Sequence, residues 1–138
     1  MLTGGIGADR LTGGADADKF VFAKGDNGVT AESADHITDF GKGDKIDASN
    51  FVASHSTIEA TRDFHGDIAE ALSFANAQLA AGNNTAGSAV LGDSSSHNVY
   101  VFMDQDGDHK FESAVILDNA EGQMSDIHTA IAQHQLFG

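Results

Sequence analysis

The chain has no cysteine, no proline and no tryptophan, and a single tyrosine. Without cysteine there is no disulfide staple, no thiolate nucleophile and no thiolate metal centre, so any bound metal must take oxygen or imidazole ligands. Basic residues are also scarce: seven Lys and Arg face twenty-one Asp and Glu over 138 residues, a formal charge of −14. Nucleic acid and anionic membrane surfaces would have to bind against that whole field, and neither is expected as a partner. No apolar run approaches the ~18–20 residues of a helical membrane span. Met1 leads directly into Leu2-Thr3-Gly4-Gly5, without the basic start and apolar stretch of a cleavable secretory signal. The length suits one compact domain, and residues 1–138 are read as one.

Sixteen glycines with no proline is a skewed combination, one that keeps every amide donor while admitting backbone at positive φ. The glycines are placed periodically. Gly4-Gly5-Ile6-Gly7-Ala8-Asp9-Arg10-Leu11-Thr12 runs without a gap into Gly13-Gly14-Ala15-Asp16-Ala17-Asp18-Lys19-Phe20-Val21, a period of nine. Both copies resemble the calcium-binding nonapeptide G-G-x-G-x-D-x-U-x of repeats-in-toxin (RTX) proteins. Residues 20–23 then read as a short apolar strand and residues 24–33 as a polar loop. After it come Asp35-His36-Ile37-Thr38-Asp39-Phe40, a turn at Gly41-Lys42-Gly43, and Asp44-Lys45-Ile46-Asp47-Ala48-Ser49. Residues 4–51 together resemble the end of the C-terminal domain of serralysin-type metalloproteases. Similar segments occur in alginate epimerase modules and other substrates of type I secretion.

The resemblance implies a truncated parallel β-roll over residues 4 to about 50. In each coil six residues turn and three form a strand whose large apolar side chain, Leu11 or Phe20, points inward. It also implies Ca2+ between stacked turns, since calcium accepts six to eight oxygens in flexible geometry whereas magnesium demands a tight octahedron. By the same resemblance Asp9 and Asp18 are carboxylate ligands, Asp35 and Asp39 are supplied from the level opposite the last coil, and the Gly-rich turns complete each shell. Gly5, Gly7, Gly14 and Asp16 belong to those turns. Asp16 stands where the repeat has its third glycine, a place Asp can fill by entering the left-handed region. Asp44 and Asp47 read as turn or capping residues around a Gly-x-Gly bend.

Beyond residue 50 a β-rich cap with one long and one short α-helix is expected, making the whole mainly β. Phe64, Ile68, Leu72, Ala75 and Leu79 form one stripe of a helix over residues 63–81, with Asp63 to cap its start and Gly82 its end. Ala89-Val90-Leu91 is a short strand between polar loops. Residues 98–103 and 111–117 read as two strands, and a last helix starts at Ser125 and buries Ile127, Ile131 and Leu136. Between the two strands lie Asp104, Asp106, Asp108 and Glu112, at positions 1, 3, 5 and 9 of an EF-hand-like loop. The likeness is partial, because His109 replaces the turn glycine and Val115 the bidentate glutamate. Asp106-Gly107 is also a hairpin signal, so a metal-binding turn and a plain hairpin tip both stay open.

Catalytic signatures are missing. No His-Glu-x-x-His occurs, so the zinc motif of the serralysin-type proteases is not in this chain. His128 and His134 do not share i, i+4 spacing, and Ser94 to Ser96 beside His97 are neighbours in a Ser-rich loop rather than a triad. An enzyme is not expected. The sequence points to a calcium-binding module that folds on meeting extracellular calcium and supports type I secretion of a larger bacterial protein. Its partners are then calcium ions, the type I secretion machinery and upstream domains carrying further repeats, its location is extracellular or on the cell surface, and residues past 118 are the candidate secretion-signal region. A calcium-dependent surface-binding, polysaccharide-binding or assembly module is the competing expectation.

Overall fold

A computed structural model describes residues 2–3, 9–21, 34–41, 43–47, 57–62, 68–80, 88–103, 111, 113–123 and 127. Five short strands open the chain: β1 (Leu2–Thr3), β2 (Arg10–Leu11), β3 (Lys19–Val21), β4 (Asp35–Ile37) and β5 (Lys45–Asp47). They alternate between two sheets. β1, β3 and β5 form one parallel sheet, with Leu2 beside Phe20 and Phe20 beside Ile46. β2 and β4 pair in parallel in the other sheet, with Leu11 beside Ile37.

One apolar side chain per strand turns inward, as alternation along a strand requires. Phe20, Ile37 and Ile46 are fully buried and Leu11 nearly so, while Arg10, Lys19, His36 and Lys45 precede them on the outer side. From Leu2 to Phe20 the chain advances 18 residues, two nonapeptides, but from Phe20 to Ile46 it advances 26. The eight additional residues fall between Val21 and Ala34, the stretch expected to loop out, which lies outside the described residues.

The second sheet continues into the C-terminal half. β6 (Thr57–Arg62), helix α1 (Ile68–Ala80), β7 (Ser88–Asp93), β8 (Val99–Met103) and β9 (Ser113–Leu117) complete the described elements, with a 3-10 turn at Glu121–Gln123. The strand order is β2-β4-β9-β8-β7-β6. β9 lies parallel to β4, so Leu117 stands beside Ile37 as the next rung of the Leu11 column. β8 is antiparallel to both β9 and β7, and β6 is parallel to β7 through the α1 crossover.

Every residue of β8 and β9 is buried, because both faces of this sheet are covered. Val90, Val99, Val101, Met103, Val115 and Leu117 join Leu11, Phe20, Ile37 and Ile46 in one core. Their alternates, Ala89, Leu91, Tyr100, Phe102, Ala114 and Ile116, pack with Ile68, Ala71 and Ala75 of α1 in a second core. The chain is thus mainly β, with a single α-helix among the described residues.

The expected helix is present as Ile68–Ala80, and Thr57–Arg62, for which no element was expected, is a strand. The proposed caps Asp63 and Gly82 lie outside the described residues, as does the terminal helix apart from Ile127, which is buried in the first core.

Candidate metal centre

The strand register places each residue of the first coil against the residue 26 later in the next, and this stacks aspartates on aspartates. The Asp9 N–H donates to Asp35 Oδ1 at 2.8 Å across 26 residues. The Asp18 N–H donates to Asp44 Oδ1 at 2.9 Å across the same separation. In return the Asp9 carbonyl accepts the His36 N–H and the Asp18 carbonyl accepts the Lys45 N–H, each at 2.8 Å. Asp9 and Asp18 therefore occupy the same place in their coils, as the nonapeptide period demands.

Asp39 stands below Gly13. Its Oδ1 accepts the Gly13 N–H at 2.9 Å and its Oδ2 the Gly14 N–H at 2.7 Å. Asp44 Oδ2 also accepts the Gly41 N–H of its own turn at 3.0 Å. Thr12 and Thr38 pair their hydroxyls between the same levels.

In contrast, Asp9 Oδ2 and Asp18 Oδ2 are buried and have no hydrogen-bond partner among the described residues. A buried carboxylate oxygen without a donor is costly, and each such atom in a native fold needs an explanation. Asp18 Oδ2 lies so close over Gly13 that a Cβ there would stand only 2.3 Å from it. The glycine thus forms a cradle that the Asp18 carboxylate occupies. Electrostatics point the same way. Burial pushes the Asp44 carboxyl above its ordinary range, the Asp18 and Gly41 amides oppose this, and the neighbouring charges of Asp18 and Asp39 raise it further. Buried, mutually repelling carboxylates with unsatisfied oxygens fit a hard cation. Among the described residues no three His, Asp or Glu side chains gather on one point.

Of the other expected ligands, Asp35 is fully buried beneath Asp9, and Asp16 is exposed. Asp16 does not take the left-handed conformation; the positive φ of this turn, +103°, belongs to Gly14. Gly5 and Gly7 lie outside the described residues, and so do Asp104, Asp106, Asp108 and Glu112. The strands flanking the latter four do form the expected antiparallel pair, with Met103 opposite Ser113. Ser94 to Ser96 and His97 make the β7–β8 turn. There Ser96 Oγ donates to Asp93 Oδ2 at 2.8 Å, so its hydroxyl serves the turn and is not aimed at His97.

The sequence reading missed Asp44 as a member of the cluster. A signal was present: Asp44 follows Asp35 by nine residues, as Asp18 follows Asp9, and each of the four precedes a basic residue and then an inward apolar one. It also missed Asp118, one residue past β9. Asp118 Oδ2 meets Arg10 Nη1 at 3.0 Å and its Oδ1 meets His36 Nδ1 at 2.8 Å, tying both coils to the last strand.

The profile of the family described as Peptidase M10 serralysin C terminal matches residues 2–117. The match is to the C-terminal domain of these proteases and not to their catalytic domain. No curated protein matches the chain significantly.

Proposed function

Because the chain belongs to the serralysin C-terminal family, a family of secreted proteins, we propose that it is a calcium-dependent folding module. In this reading the two-sheet stack is the end of a parallel β-roll, and the C-terminal half is its cap. The observation that carries it is the pair of buried oxygens without a hydrogen-bond partner among the described residues, Asp9 Oδ2 and Asp18 Oδ2, at equivalent positions of successive nonapeptides. Asp9 with Asp35 beside it, and Asp18, hold the ions together with carbonyls of the Gly-rich turns. Calcium supplies positive charge that offsets carboxylates forced together by the coil period.

Function follows from linkage. An ion that binds only the folded chain stabilises it by RT ln(1 + [Ca]/Kd). Where free calcium lies far below Kd, carboxylate repulsion within a chain of charge −14 favours the extended form, which can be threaded through a type I channel. At the ~10⁻⁴ to 10⁻³ M range typical of extracellular calcium modules, the chain folds and does not return. The family match is consistent with such a role at the end of a larger exported protein.

The test is far-UV circular dichroism and thermal melting in chelator, in millimolar calcium and in millimolar magnesium. Calcium alone is expected to add β signal and a cooperative melt. Identical melts in all three conditions refute the reading.

A further inference from the structure

We infer that Asp39 is an anchoring residue and not a metal ligand, its carboxylate gripping the Gly13 and Gly14 amides of the coil above. The inference rests on the calcium-folding reading and divides its aspartates into two kinds.

The register sets Asp39 exactly one level below Gly13, 26 residues on, so a position that is glycine in one coil carries a carboxylate in the next. Both carboxylate oxygens are engaged, at 2.9 Å and 2.7 Å, by two successive backbone amides. The N–H groups of Gly13 and Gly14 converge on the one carboxylate, a concave amide pair that suits an anion. Bonds from amides to an ionised acceptor are stronger than neutral ones. Asp44 acts alongside, joining the Asp18 amide above to the Gly41 amide of its own turn.

A cation approaching Asp39 would face the positive ends of the two N–H dipoles that already point at its oxygens. Asp9 and Asp18 present the opposite arrangement, each with a buried oxygen that no amide of the described residues reaches. Asp39 therefore binds the neighbouring coil directly through both oxygens, whereas Asp9 and Asp18 require the ion.

The experiment is a series of melts of the full chain against free calcium. The rise of stability with log[Ca] counts the ions taken up on folding. The wild type defines a line, and Asp18→Asn, which removes a ligand, is expected to make it shallower. Asp39→Asn is expected to run parallel to the wild type, displaced down by roughly 5–10 °C at every calcium concentration, because anchoring is lost while ion uptake is not. A shallower line for Asp39→Asn, or no displacement, overturns the inference. A flat wild-type line defeats the folding reading instead, and the displacement of Asp39→Asn still decides the anchor. Should that variant not fold, amide exchange in the calcium-loaded wild type decides: slow exchange at Gly13 and Gly14 supports the anchor, and fast exchange at both overturns it.

Discussion

Replacing Gly13 by alanine tests the cradle most directly. An added Cβ would lie 2.3 Å from Asp18 Oδ2 and 2.7 Å from Asp18 Cγ, distances that force a shift. Asp18 has little freedom to give way by backbone movement, since its N–H is held by Asp44 Oδ1 and its carbonyl by the Lys45 N–H. The carboxylate must rotate away, and with it goes the oxygen proposed to face the ion. Overpacking of this kind costs about 1–3 kcal/mol. Gly13 is not at positive φ, so alanine also restricts the unfolded chain, which stabilises by ~0.4–1 kcal/mol. The net loss is about 1–2 kcal/mol, equivalent to roughly a tenfold rise in the calcium needed for half-folding if folding takes up one ion.

Gly14→Ala is the control. Nothing lies within 4 Å of its Cβ position, but its φ of +103° is strained for any L side chain. The cost is of order 1–2 kcal/mol, without contact to Asp18. Calcium titrations followed by circular dichroism should show Gly14→Ala weakened equally at all calcium levels and Gly13→Ala with a reduced response to calcium. If both variants keep the wild-type response, the cradle above Gly13 does not hold an ion.

Three further outcomes are expected. The folded-state pKa of Asp44 is raised, so the folded chain binds more protons than the unfolded one between the ordinary aspartate value and the raised one. In chelator the folded fraction should therefore rise as pH falls from neutral into that window, and Asp44→Asn should blunt the rise; an unaltered pH response in the variant counts against the assignment. Phe102→Ala opens the second core, where Phe102 is fully buried and packs on Tyr100 and Phe111 at ring separations of 6.4 and 6.1 Å. Urea unfolding at saturating calcium should register a loss of ~3–5 kcal/mol. Arg10→Ala removes an ion pair whose arginine side chain is 68% exposed, so at most about 0.5 kcal/mol is expected. Asp118→Ala should cost more, about 1 kcal/mol, because it also strips His36 of its partner. Equal melting temperatures for the two variants would contradict the bridging role.

Local pattern was enough for much of this protein. The nine-residue period, the inward Leu11 and Phe20, the apolar strands flanking residues 104–112 and the helical stripe through Ile68, Leu72 and Ala75 are all set by short-range spacing. So is the equivalence of Asp9 and Asp18, since contiguous repeats must present the same residue at the same place on successive turns. What a carboxylate does in the stack is not local. Whether Asp39 or Asp44 meets an amide or an ion depends on which backbone lies one level above. That is settled by the spacing of the stacked strands, 18 residues from Leu2 to Phe20 and 26 from Phe20 to Ile46. The docking of Leu117 beside Ile37, and with it the reach of Asp118 to Arg10 and His36, joins segments eighty or more residues apart. Hydrogen-bond ladders satisfy any strand of suitable length, so composition cannot choose between partners. Only the packed arrangement, in which both faces of β8 and β9 are covered at once, selects the pairing that brings these groups together.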